Sequence, residues 1–73
     1  MSATGRKLKS VRERRGLSVR EVQNYFGFAA PQAVYSWERG ETLPSVDNLY
    51  ALSFLYDTSM MEMLVPWEVK DQE

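Results

Sequence analysis

The sequence contains neither cysteine nor histidine, and each absence removes a class of site. Without cysteine no disulfide can form. Because the sequence has neither cysteine nor histidine, a zinc site is not expected. Histidine is also the usual proton shuttle of enzymes. No nucleophile–base pair, metal-ligand set or phosphate-binding loop can be assembled from the remaining residues. We therefore expect a protein that is not an enzyme and that needs no metal or other cofactor.

Long apolar runs are missing as well. The longest stretches fall far short of the roughly 18 residues that a membrane helix requires, and no apolar run follows the basic N-terminal segment as it would in a signal peptide. The chain has 73 residues, room for one domain, and 44% of them are hydrophobic. These features predict a cytoplasmic protein without a membrane partner. We expect a single domain over residues 1–73, with its core at about 5–65 and a C-terminal tail at 66–73.

The net charge of −1 conceals an asymmetry along the chain. Residues 1–20 contain seven basic residues and one acidic residue, a net charge of +6, whereas residues 21–73 contain two basic and nine acidic residues, a net charge of −7. A basic segment can attract a polyanion even when the whole chain is weakly acidic. The same pattern suits a solvated helix face, so charge alone does not decide between the two.

The apolar spacing predicts an all-α chain with five helices and no strand. The helices are expected at about 5–15, 18–27, 31–40, 45–56 and 59–65. Ser18 and Glu21 have the spacing of a capping box, as do Ser59 and Glu62. On the fourth helix the residues predicted to face inward are Val46, Leu49, Leu52, Ser53 and Tyr56.

The second and third helices, joined by a short turn, have the arrangement of a helix-turn-helix, whose second helix enters the DNA major groove. Polar residues share the outer face of that helix: Gln32, Tyr35, Ser36 and Arg39. Gln32 lies near the helix start, where its amide can bond adenine N6 and N7 together, and Ser36 follows one turn later. Tyr35, Arg39 and the amides at the start of the second helix can contact the DNA backbone. A solvated face also carries such residues, so the pattern alone leaves both readings open.

Two charged residues fall on predicted buried faces. Arg12 lies inside the apolar stripe of the first helix, and Glu38 lies at the edge of the buried face of the third. Buried charges are tolerated mainly when they are paired. We therefore predict an Arg12–Glu38 ion pair between the two helices.

Several segments together resemble the helix-turn-helix family of phage repressors and xenobiotic-response-element (XRE) type regulators. They are Leu8 to Arg12, Gly16-Leu17-Ser18, Trp37-Glu38-Arg39-Gly40, Leu43-Pro44-Ser45, and Leu49 with Leu52. The resemblance covers about residues 5–65. It implies a five-helix bundle of the lambda-repressor type that binds operator DNA, commonly as a dimer, and regulates transcription.

The resemblance also implies roles for individual residues. Its base-reading positions fall on Gln32 and Ser36, with Pro31 and Ala33 beside them. Its backbone-contacting positions fall on Ser18, Val19 (through the amide), Arg39 and Glu41, and we add Arg20 to this set. Its ion pair between the first and third helices falls on Arg12 and Glu38, in agreement with the helical-wheel argument.

The chain departs from the family pattern at three places. The segment between Gly27 and Trp37 is one residue longer than usual, and Gln23 replaces a small residue that lets the two helices approach. We expect Gln23 to bond the backbone of the longer turn. Glu41 occupies a position that is often basic in the family and would repel phosphate.

Two functions remain open from the sequence. The first is a sequence-specific DNA-binding transcriptional regulator, repressor-like, with double-stranded DNA as its partner. The second is an antitoxin-like or adaptor module that binds protein on the same fold. Apolar residues off the inward face of the fourth helix, such as Tyr50 and Phe54, predict a homodimer through helices 4 and 5 and the tail. Coverage of that surface by the fifth helix is the alternative.

Overall fold

The computed structural model describes residues 3–64, which form five α-helices and no strand. The helices are α1 (Ala3–Arg14), α2 (Val19–Phe26), α3 (Gln32–Arg39), α4 (Val46–Leu55) and α5 (Met60–Met63). Within the described range no helix is both long enough and apolar enough to cross a membrane. The predicted all-α fold of five helices is confirmed.

The helix starts follow from local chemistry. Ser18, Ser45 and Ser59 each stand before a helix, and each hydroxyl accepts a hydrogen bond from the amide three residues on. Such caps satisfy one of the backbone donors that a helix start leaves unpaired. At α2 the cap is reciprocal, because the Glu21 carboxylate accepts from the Ser18 amide at 2.8 Å. Side chains within three residues of each start therefore define these boundaries.

One core unites the five helices. Its buried apolar residues come from every helix and from the cap of α4: Leu8, Val11, Val22, Val34, Trp37, Leu49, Leu52, Tyr56 and Met63. α1 packs against α3 and α5, and α3 packs against α2. The third helix is therefore held between two others, with one side left for solvent.

Each helix bound differs from the prediction by one or two residues. α1 begins at Ala3 rather than Gly5. α3 begins at Gln32 rather than Pro31, because Pro31 has ψ near 2° and occupies the cap position without a side-chain hydrogen bond. α5 ends at Met63, since the backbone of Leu64 is extended (φ −87°, ψ 134°). The predicted end at Val65, the stop at Pro66 and the tail lie outside the described residues.

The prediction that Val46 faces inward is wrong. Its side chain is 74% exposed, whereas Leu49 and Leu52, later on the same helix, are buried. Val46 is the first residue of α4, at the end where the chain enters from the preceding loop. A prediction from helical periodicity assumes that other elements pack against the whole length of the helix. The first turn of α4 extends beyond the elements that cover Leu49 and Leu52.

Candidate nucleic-acid interface

The turn between α2 and α3 begins at Gly27, which ends α2 in the left-handed conformation with φ 73°. The amide of Gly27 donates to the Asn24 carbonyl, and the amide of Phe28 donates to the Gln23 carbonyl at 3.1 Å. This pair of bonds is the Schellman motif, which turns the chain away from the helix axis. The sequence therefore sets the direction in which the chain leaves α2.

Gln23 and two aromatic rings fix the longer turn. The Gln23 side-chain amide donates to the Phe28 carbonyl at 3.2 Å, which is the backbone bond that we predicted for this residue. The Phe26 and Phe28 rings stack with centroids 5.1 Å apart, and both meet the Trp37 ring edge-on. The aromatic contacts connect the turn to the buried face of α3. Phe28 had no predicted role, and its place could be found only from the fold.

The back of α3 is anchored by the predicted ion pair. Arg12 Nε donates to Glu38 Oε2 at 2.7 Å, and Arg12 Nη2 donates to Glu38 Oε1 at 3.1 Å, with both residues buried. Arg12 Nη1 also donates to the Leu17 carbonyl at 2.9 Å. The hydrogen bonds to Glu38 raise the pKa of Arg12 above its ordinary value, against the opposing effect of burial. Both charges are thus paired where α1 crosses α3.

Gly5 allows α1 to approach the end of α3 closely. A Cβ placed on Gly5 would lie 2.6 Å from the Glu38 carbonyl oxygen and 2.8 Å from the Trp37 carbonyl oxygen. No side chain fits at that distance from the backbone. Gly5 had no predicted role, because a glycine near the start of a helix carries no signal of close packing. It sets the position of α3 against α1.

The front of α3 carries the predicted DNA-contacting residues. Gln32, Tyr35 and Arg39 are exposed, whereas Pro31, Ala33 and Ser36 are half-buried. At the start of α2, Ser18 and Arg20 are exposed, and Val19 is half-buried against the core. The structure therefore places most of these residues on the exposed sides of α2 and α3, whereas the half-buried side chains of Val19 and Ala33 pack against the core.

A shallow cleft of about 370 Å³ separates the exposed sides of α2 and α3. Arg20, Asn24 and Tyr35 line it from the two helices, and Ala29, Ala30 and Pro31 line it from the turn. It brings Arg20 and Tyr35 together beside the start of α3. Asn24 was not predicted, although its position one helical turn after Arg20 could have indicated it.

At the other end of α3, Glu41 contacts two of the predicted residues. Arg39 Nε donates to Glu41 Oε2 at 3.0 Å, and Arg39 Nη2 donates to Glu41 Oε1 at 3.1 Å. The Ser36 hydroxyl donates to Glu41 Oε1 at 3.3 Å. The hydrogen bonds from Arg39, together with its charge, lower the pKa of Glu41 below its ordinary value. We call Ser36, Arg39 and Glu41 the C-terminal cluster of α3.

The comparisons with known proteins agree with this geometry. The family model described as helix-turn-helix matches residues 8–63. The crystal structure of the DNA-binding domain of BldD is similar at 29% identity with a TM-score of 0.73, over 88% of this chain and 92% of that chain. The S. venezulae BldD DNA-binding domain is similar at 30% identity with a TM-score of 0.70, over 85% and 91% of the two chains. No curated protein matches the sequence significantly.

The match over residues 8–63 includes α2, the turn and α3, together with the core that holds them. The similarity to the BldD domain extends over most of both chains. The family and the fold are those of DNA-binding regulators, and a helix-turn-helix domain implies double-stranded DNA as its partner. This chain belongs to the XRE-type helix-turn-helix family.

Proposed function

We propose that this protein is a sequence-specific transcriptional regulator of the repressor type and that α3 is its recognition helix. One observation carries the proposal. The buried side chains of Val34, Trp37 and Glu38 fix one face of α3 against the protein, while the opposite face, which carries Gln32 near its start and Arg39 at its end, is open to solvent. A reading helix needs this combination, because base contacts require a polar surface held in one position.

We assign base reading to the first two turns of α3. Gln32 is exposed and can bond adenine through N6 and N7, and Ser36 follows on the same face. Pro31 and Ala33, both half-buried, flank Gln32 at the start of the helix. Reading is then concentrated near the start of the helix, where it lies deepest in the groove.

We assign contacts with the DNA backbone to both helices of the motif. Ser18 and the Val19 amide lie at the start of α2, where the free backbone donors of a helix favour phosphate. Arg20 and Tyr35 line the cleft beside α3, and Arg39 lies at the C-terminal end of α3. Such contacts hold the protein on the duplex and carry no base information themselves.

We propose that the regulator acts as a homodimer through α4 and α5. Apolar side chains remain exposed on these two helices: Tyr50, Phe54 and Met61. The rings of Tyr50 and Phe54 meet edge-on, with centroids 4.9 Å apart, and form a continuous apolar surface. A two-fold dimer would present two recognition helices to the two halves of a palindromic operator.

A protein-interaction module, antitoxin-like or an adaptor, is the second candidate. Two observations favour it: Arg39 is already paired with Glu41, and the apolar surface on α4 is open to a partner. Salt separates the two candidates. Binding through several phosphates weakens steeply between about 50 and 200 mM salt, whereas an apolar contact does not.

The test is capture of genomic fragments by the purified protein, followed by titration of the best fragment at those two salt concentrations. A shuffled fragment of equal length and composition is the control. Enrichment of a short palindromic site, with steep salt dependence and preference over the shuffled fragment, supports the regulator. Absence of enrichment at both concentrations contradicts it and favours the interaction module.

A further inference from the structure

The C-terminal cluster of α3 has the geometry of an occupied anion site. Two guanidinium nitrogens of Arg39 reach the two oxygens of Glu41 at 3.0 and 3.1 Å. Arginine binds phosphate with the same two-pronged arrangement. The Ser36 hydroxyl donates to the same carboxylate, so one anion engages both a base-reading and a backbone-contacting residue of the proposed interface.

The backbone holds Glu41 in this position. Gly40 ends α3 in the left-handed conformation with φ 79°, and the Glu41 amide donates to the Ser36 carbonyl at 2.9 Å. This turn brings the chain back over the exposed side of α3. Glu41 thus meets Ser36 because the helix cap carries it there, and the contact does not depend on a mobile loop.

We propose that Glu41 is a built-in competitor of DNA phosphate for Arg39, so that this residue sets the affinity of the recognition helix. The inference rests on the proposed function. In free protein the Glu41 carboxylate neutralises Arg39. Binding DNA requires Arg39 to exchange the carboxylate for a phosphate, after which Glu41 remains as a negative charge beside the DNA backbone.

The exposure of the pair makes this exchange feasible. The side chains of Arg39 and Glu41 are 52% and 56% exposed, so water can solvate each of them during the exchange. Exposed ion pairs are weak and are screened by salt. Glu41 therefore lowers the affinity for DNA without preventing binding, unlike a buried lock.

The test is the isosteric variant Glu41→Gln, measured by fluorescence anisotropy on a labelled duplex of mixed sequence and on the captured operator. We expect binding to become roughly three- to tenfold tighter at low salt. We also expect the salt dependence to steepen by about 0.9 in the slope of log K against log salt, because no carboxylate remains beside the DNA to retain a cation that binding would otherwise release.

Glu62→Gln is the matched control, since it removes the same charge from α5, which packs on α1 and α4 and not on α3. A second pair of variants tests the link to Arg39. Arg39→Gln should weaken binding more in the Glu41→Gln background than in the wild type, because only there is Arg39 free of its competitor. Thermal melts establish that every variant is folded.

Each outcome has one meaning. The proposal is supported if only Glu41→Gln binds more tightly and with a steeper salt slope. It also requires that the effects of Arg39→Gln and Glu41→Gln on binding are not additive. Equal changes in Glu41→Gln and Glu62→Gln, additive effects, or weaker binding by Glu41→Gln overturn it while leaving the proposed function intact. If neither the wild type nor Glu41→Gln binds either duplex, the proposed function fails and the inference fails with it.

Discussion

Arg12 and Glu38 are the two charged residues on which the position of α3, the proposed recognition helix, depends most directly. Each contributes to a two-pronged contact in the interior, and Arg12 also donates to the Leu17 carbonyl in the connection between α1 and α2. The pair need not be more stabilising than apolar residues of the same volume. Removing one partner is different, because it leaves the other charged and buried.

We expect Glu38→Ala to lower the free energy of unfolding by about 3 kcal/mol or more. Urea titration followed by circular dichroism measures this, with Glu13→Ala as the control on the exposed side of α1. If the urea titration gives the same free energy of unfolding for Glu38→Ala and the wild type, the ion pair does not hold α1 and α3 together.

Gly5 provides a second test at this scale. Glycine to alanine inside a helix ordinarily stabilises by about 0.5–1 kcal/mol. At Gly5 the added methyl group would lie 2.6 Å from the Glu38 carbonyl oxygen, so we expect Gly5→Ala to destabilise by about 1–3 kcal/mol instead. Ser10→Ala, at an exposed position of α1, is the control in the same melts. A stabilised Gly5→Ala variant would show that α1 and α3 are not in close contact.

At the scale of elements, the turn between α2 and α3 decides how α3 is presented. Gln23 is hydrogen-bonded to Phe28 in the turn through both its backbone carbonyl and its side-chain amide. The Phe28 ring also stacks on Phe26 of α2. The Gln23 side chain therefore satisfies a carbonyl of the turn that its own backbone carbonyl helps to close.

We expect Gln23→Ala to destabilise the protein by about 1 kcal/mol, because the half-buried Phe28 carbonyl loses its donor. The neighbouring Asn24→Ala is the control, since Asn24 is exposed and lies on the same helix. Chemical denaturation of both variants measures the difference. A Gln23→Ala protein as stable as the wild type, or more stable, would show that the bond contributes nothing.

Some of these elements could be predicted from the sequence because their causes are local. Ser18 with Glu21 and the glycines at 27 and 40 act within a few residues, so spacing alone placed the motif. Arg12 and Glu38 could be paired because charge inside an apolar stripe demands a partner. The exposure of Val46, the close contact of Gly5 and the pairing of Glu41 with Arg39 depend on how helices and caps meet in space. Periodicity along one helix carries no such information.

At the scale of the whole molecule, the proposed recognition face and the proposed dimer surface are different surfaces. The first lies on α2 and α3, and the second lies on α4 and α5, where Phe54 is 65% exposed. Self-association and DNA reading can therefore be altered separately by substitution.

We expect Phe54→Asp to convert the dimer to a monomer at micromolar concentration, because a charge cannot be buried unpaired at an apolar contact. Leu43→Asp is the control, since Leu43 is equally exposed but lies in the loop before α4. Sedimentation equilibrium gives the mass of each variant. A wild-type protein that is strictly monomeric at this concentration would contradict the proposed dimer.

The most direct test of sequence reading by α3 is selection of binding sites from a randomised duplex library, for the wild type, Gln32→Ala and Arg39→Ala. We expect a defined site for the wild type. For Gln32→Ala we expect lost preference at one position of each half-site, and for Arg39→Ala a site of unchanged sequence but weaker affinity. No preferred site for the wild type, or identical effects of both substitutions at every position, would contradict the assignment of α3 as the recognition helix.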